Sequence, residues 1–98
     1  MLFVIYNLWF LFMNEMIYEK VSVITAYDKN KGTVFPKKIR WQGRDYIITK
    51  LAYYHRIRQG QALYHIFHVT DGNIDFRLKL DSYTLHWVLE EVSDGSAD

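Results

Sequence analysis

The sequence predicts an all-β fold, a small antiparallel barrel or sandwich of about six strands, SH3-like or similar. Three observations predict it. After Met16, β-branched and aromatic residues alternate with polar ones along most of the chain, and no long window carries the 3.6-residue period of a helix. Turn residues recur between the apolar runs, at the spacing of about 8–12 residues that marks all-β domains. The runs also lie too close together for parallel crossovers, which need about a dozen residues or more.

Each element follows from its own residues. Ile17 to Tyr27 is rich in β-branched and aromatic side chains and reads as the first strand. Asp28 to Gly32 is a polar loop made of turn residues. Thr33 to Trp41 places Phe35, Ile39 and Trp41 on one face and Lys38 and Arg40 on the other. Pro36 removes a backbone donor, so this strand is expected to start after it or to lie on an edge. Gln42-Gly43 suits a tight hairpin, after which Arg44 to Leu51 returns. Ala52 to Arg58 reads as a strand continuation with a bend. Gln59-Gly60-Gln61 turns the chain into Leu63–Thr70, and Asp71-Gly72-Asn73 is the clearest hairpin signal. Ile74, Phe76, Leu78 and Leu80 then alternate strictly with Asp75, Arg77 and Lys79, giving one buried and one wet face. Leu85, Trp87 and Leu89 repeat that pattern in the last strand. The core expected from these faces is Val21, Val23, Ile39, Trp41, Ile48, Phe67, Ile74, Phe76, Leu78, Leu85, Trp87 and Leu89.

Composition narrows the class. The chain has 98 residues, one domain's worth, and with 50% hydrophobic and 23% charged residues it is too apolar for intrinsic disorder. Cysteine is absent, which excludes a disulfide framework, a Cys zinc site and a thiol nucleophile. Residues 1–15 form an apolar extension, 16–92 the β domain and 93–98 a polar tail. Residues 1–13 (MLFVIYNLWFLFM) are too few for a membrane span, which needs about 20. They also lack the basic start and small-residue cleavage site of a secretory signal. Three readings fit the run: a buried strand or helix, a membrane-surface or partner-docking anchor, or upstream translation ahead of a domain starting at Met13 or Met16. The last is favoured, because the remainder accounts for a complete β domain. A cytoplasmic location is the expectation.

Between residues 34 and 94 the chain resembles a group of uncharacterised small bacterial all-β domains. The resemblance rests on a P-x-x-x-x-W-x-G-R-x-Y pattern (Pro36, Trp41, Gly43, Arg44, Tyr46), a basic-aromatic segment (Tyr54-His55-Arg56) and a DG turn. A W-x-L-E-x-V-type ending closes it, from Trp87 to Val92. The chain departs from the pattern at Tyr54, where tryptophan is usual, and in its apolar N-terminus. Some members of the group are encoded beside translesion DNA polymerase genes. The resemblance thus implies an accessory role near DNA, with a DNA-repair protein as a possible partner, and implies no catalytic residue.

Motifs for catalysis are missing from the sequence. It has no P-loop, no G-x-G-x-x-G, no G-x-S-x-G and no H-E-x-x-H. His65 and His68 stand three apart in a predicted strand and so point to opposite faces, unable to share one metal ion. Asp71 is explained as a turn residue, and no two carboxylates are spaced for acid–base work in one cleft. No enzyme activity, cofactor, metal or small-molecule substrate is expected.

Charge is the informative feature. Residues 28–58 hold nine basic and two acidic residues, a surplus of +7, whereas 59–98 hold two basic and seven acidic, a surplus of −5. The basic half also carries Tyr53 and Tyr54 beside Arg56 and Arg58. Cations on phosphates with bases stacked on tyrosine is how small barrels hold single strands. The expected contact residues are Lys37, Lys38, Arg40, Arg44, Tyr54, Arg56 and Arg58. Set against this is the plainer reading of solvated strand faces whose cations pair with the acidic half. A non-enzymatic binding module for single-stranded nucleic acid is therefore the favoured expectation. A protein–protein interaction module using the aromatic N-terminus and an edge strand is the alternative.

Overall fold

The computed structural model describes residues 15–94. They form eight strands: β1 (Glu15–Lys20), β2 (Ser22–Asp28), β3 (Thr33–Trp41), β4 (Arg44–Ile47), β5 (Lys50–Gln59), β6 (Ala62–Thr70), β7 (Ile74–Asp81) and β8 (Trp87–Asp94). Two antiparallel sheets result, a five-stranded one in the order β1-β8-β7-β6-β5 and a three-stranded one in the order β2-β3-β4. They are not closed into a barrel. Among the described residues no helix is long and apolar enough to cross a membrane.

Eight strands replace the expected six because two predicted strands each turn a corner and serve both sheets. The run 17–27 divides at Val21, whose amide donates to the Trp87 carbonyl at 3.0 Å. Before that point the chain pairs with β8, and after it with β3. The run 44–51 divides between Ile48 and Thr49. The Ile48 amide still donates to Lys37 of β3 at 2.9 Å, and the Thr49 amide already donates to Thr70 of β6 at 2.9 Å. Strands that switch sheets at a bend are the usual way to build the corners of packed sheets. Apolar residues along both faces of the 17–27 run are consistent with such a crossing.

The turns obey local chemistry. Gln42 and Gly43 have φ of 53° and 76°, the pair of positive values that a two-residue I′ hairpin requires. In the β6–β7 turn the Asp71 carboxylate accepts from the amides of Asn73 and Ile74, both at 2.8 Å. Pro36 departs from expectation. It is buried inside β3, the central strand of the small sheet. The strand tolerates it for a physical reason. The β3–β4 ladder stops at Lys38, and the register with β2 shifts where Thr25 meets Pro36, so the missing donor falls at a bulge.

The core lies between the sheets. Ile39 of the small sheet meets Phe67, Val69, Phe76, Leu78, Leu80 and Leu89 of the large one. Val21, Trp41, Ile48, Ile74 and Trp87 pack around this centre, partly buried, and Val23 is half-exposed. Tyr46 from β4 meets Phe76 from β7 edge-on, with centroids 5.3 Å apart. Leu85 contradicts the expected core: it is 69% exposed, with φ 65°, in the β7–β8 turn. Its alternation with Trp87 and Leu89 ran past the start of the strand. The tail boundary also moves, since Ser93 and Asp94 pair with Asp75 and Ile74 and so continue β8. At the other end β1 begins at Glu15. The apolar run 1–13, residue 14 and the tail residues 95–98 lie outside the described residues.

Candidate functional site

The seven residues expected to contact nucleic acid fall on both sheets. Lys37, Lys38 and Arg40 belong to β3 and Arg44 opens β4, whereas Tyr54, Arg56 and Arg58 belong to β5. On the small sheet, Lys38 and Arg40 converge on one carboxylate across the hairpin. Arg40 Nη1 lies 3.0 Å from Asp45 Oδ1, and Lys38 Nζ lies 3.6 Å from Asp45 Oδ2. One anion thus offsets half of that pair's charge. Such exposed pairs contribute only about 0–1 kcal/mol, so a phosphate can compete for them. Lys37 sits at the β2–β3 bulge, and Arg44 stands exposed beside the hairpin turn.

On β5 the sequence reading needs correction. Tyr54 was expected as an open stacking platform, but it is half-buried and paired opposite Phe67. Its ring lies 5.0 Å from that of Phe67 and stacks at 13° on His65, and its hydroxyl is 2.6 Å from His65 Nδ1. Tyr53 is the open one, 60% exposed, and turns to the other face beside His55 and His68. A register shift between Leu51 and Tyr53 decides which tyrosine goes where. Arg56 and Arg58 pair opposite His65 and Leu63 on the same face as Tyr54, and neither has an acidic partner among the described residues.

That face of β5 forms one wall of a cleft of ≈ 380 Å³. The opposite wall is the β2–β3 turn and the start of β3, from Lys31 to Phe35. Tyr54, His65, Phe67, Leu51 and Leu80 supply the large-sheet wall. The Lys31 ammonium stands 5.8 Å from the centre of the Phe35 ring, at the lip. Burial, helped by the nearby Arg56 charge, lowers the pKa of His65 below its ordinary value, so the imidazole is neutral at neutral pH. Sequence reasoning missed this cleft. Its walls come from segments far apart in the chain, Lys31–Phe35 on one side and Leu51, Tyr54, His65, Phe67 and Leu80 on the other, that meet only when the sheets pack, and no local pattern marks it.

The opposite face of the large sheet is organised differently. His55 and His68 stack with centroids 5.5 Å apart, and burial, the neighbouring His55 and then Arg77 hold the His68 pKa below its ordinary value. Arg77 bonds Glu90 and Glu91, both at 3.1 Å, and Lys79 reaches Glu90 at 3.6 Å. Lys79 also lies over the Tyr64 ring at 4.8 Å. His65 and His68 thus face opposite sides of the sheet, as their spacing requires. All five of these ion pairs, here and at Asp45, join partners from the same half of the sequence. Among the described residues no group of three or more His, Asp or Glu is placed to hold a metal ion.

No protein-family model matches the chain, no curated protein matches it, and no solved structure matches it.

Proposed function

We propose that this chain is a non-enzymatic β module that binds single-stranded nucleic acid through the basic half of its sequence. The observation that carries the reading is the pairing pattern of the charges. Among the described residues, the ion pairs set Glu90 and Glu91 of the acidic half against its own Arg77 and Lys79, and Asp45 of the basic half against its own Lys38 and Arg40. Pairs made within a half do not change its net charge, so these ion pairs leave the +7 surplus of residues 28–58 in place. An unneutralised cationic surface attracts a polyanion, and the release of its counterions drives binding. The resemblance to small bacterial domains, some of them encoded beside translesion DNA polymerase genes, points in the same direction.

A salt titration tests this. Fluorescence anisotropy with a mixed-sequence single-stranded oligonucleotide should give a slope of log K against log salt of about −2 to −3.5, since each neutralised phosphate contributes about −0.7. Replacing Lys37, Arg56 and Arg58 together by alanine should flatten the slope by about 2. Lys79→Gln, in the acidic half, should leave it unchanged. Absence of binding at low salt, where this attraction is strongest, overturns the reading.

One observation favours a second reading. β5 is ten residues long and lies at the edge of the large sheet, with Leu51, Tyr53 and Ile57 among its exposed side chains. An edge of this kind is a template for strand addition by a protein partner. Lys50, Arg56 and Arg58 on the same strand are the charges that ordinarily discourage it, which ranks this reading second.

A further inference from the structure

We infer that the cleft between the β2–β3 turn and the β5–β6 face is a base pocket, taking one nucleobase of a nucleotide unit while Lys31 and Arg56 hold the adjoining phosphate. The inference rests on the nucleic-acid reading and assigns the place where a base is held. Three properties of the cleft point to that occupant. Its volume of ≈ 380 Å³ lies near the small end of the range of about 300–1,000 Å³ for ligand pockets, right for one ring system and its sugar. Its walls carry the partly exposed rings of Phe35 and Tyr54 beside the buried ring of Phe67, an aromatic lining that suits a base of any identity. Its surroundings are cationic: Lys31 lines one wall, and Arg56, outside the lining itself, pairs opposite His65 of the other wall.

Hydrogen-bond accounting separates a base from a purely apolar guest. The bond between Tyr54 and His65 uses one proton and one lone pair. If the phenol donates to Nδ1, the imidazole keeps its own proton on Nε2, and the phenol oxygen keeps a lone pair. If Nδ1 donates instead, the phenol proton and the Nε2 lone pair remain. Either tautomer leaves the pair with one spare donor and at least one spare acceptor. The edge of a nucleobase, which carries donors and acceptors side by side, satisfies both. An acyl chain buried against the pair satisfies neither, at the cost of leaving polar groups dry. A phosphate alone uses the rim and leaves the aromatic walls unused.

The test compares the full chain's affinity for three probes at fixed salt: a mixed-sequence single-stranded oligonucleotide, an abasic oligomer of equal length, and a free 5′-mononucleotide. The base-bearing strand should bind about 5- to 150-fold more tightly than the abasic one, the range for stacking of a single base. The mononucleotide arm distinguishes a strand from a free nucleotide as the source. Competition at concentrations near the strand's own dissociation constant assigns the pocket to free nucleotides, and competition only at millimolar levels assigns it to bases within a strand. Phe35→Leu removes a ring from the cleft wall and keeps an apolar side chain at a partly exposed position, so folding is spared, as circular dichroism verifies. It should remove the preference for the base-bearing strand and leave the salt slope unchanged, because stacking releases no counterions. Equal affinity of the wild-type chain for the base-bearing and abasic strands, with a normal salt slope, overturns the pocket while the electrostatic reading stands. Failure of the wild-type chain to bind either strand overturns both.

Discussion

Replacing Phe76 by alanine removes a ring through which the two sheets hold each other. Phe76 is 2% exposed in β7 and meets Tyr46 of β4 at 5.3 Å in an edge-on arrangement. An aromatic side chain buries about 150–250 Å², worth about 4–6 kcal/mol as an upper estimate at about 25 cal/mol/Å². Alanine keeps the first carbon and the surroundings relax only partly, so the expected loss is about 3–5 kcal/mol. Against a total stability of about 5–15 kcal/mol that is a large share. A urea melt reads the loss as a lower midpoint at an unchanged slope. A double-mutant cycle isolates the ring pair. Phe76→Leu and Tyr46→Leu each keep an apolar side chain, and their coupling should be about 0.5–1.5 kcal/mol. A loss under about 1.5 kcal/mol for Phe76→Ala would place the side chain outside a packed core. Coupling within about 0.3 kcal/mol of zero would refute the claim that Tyr46 and Phe76 join the sheets.

Two further outcomes follow from the same structure. Leu85 is exposed with a left-handed backbone, which costs an L-residue about 1–2 kcal/mol, so Leu85→Gly should raise stability by about 0.5–1 kcal/mol after glycine's looser unfolded chain is counted. A loss above about 2 kcal/mol in the same melt would restore Leu85 to the core. The pKa values of His65 and His68 are both held below the ordinary value, with burial the leading cause in each, so the unfolded chain takes up these protons first as the pH falls. Stability should therefore be full above about pH 6.5 and decline as the pH drops through it toward the lowered folded values. Melting temperatures between pH 7.5 and 5.5 check this, and the His65→Asn/His68→Asn double variant should show a flatter profile. A melting temperature that rises on acidification contradicts the sign.

Much of the fold is legible in short stretches of sequence. The two-residue alternation from Ile74 to Leu80 places Phe76, Leu78 and Leu80 on the buried face of β7. Gln42-Gly43 and Asp71-Gly72-Asn73 are turns in the structure because positive φ and side-chain capping are decided within a few residues. The opposite facing of His65 and His68 follows from spacing alone. Where the reading erred, a boundary lay inside an unbroken pattern. Nothing in the run 17–27 marks Val21 as a corner, and the apolar spacing of Leu85, Trp87 and Leu89 continues across the end of a turn.

The candidate site shows the same division. From the sequence alone come the antiparallel strands, their turns, most of the buried face and the opposite charge of the two halves, because each depends on neighbours along the chain. Only the tertiary structure decides that β3 and β5 lie in different sheets, that Asp45 holds both Lys38 and Arg40, and that Tyr54 faces His65 while Tyr53 faces outward. The period of a strand tells which side chains share a face. It carries no information about which sheet receives the strand, and a single bulge such as that between Leu51 and Tyr53 reverses the faces beyond it. The cleft joining Lys31–Phe35 to Tyr54, His65 and Phe67 exists only through that packing.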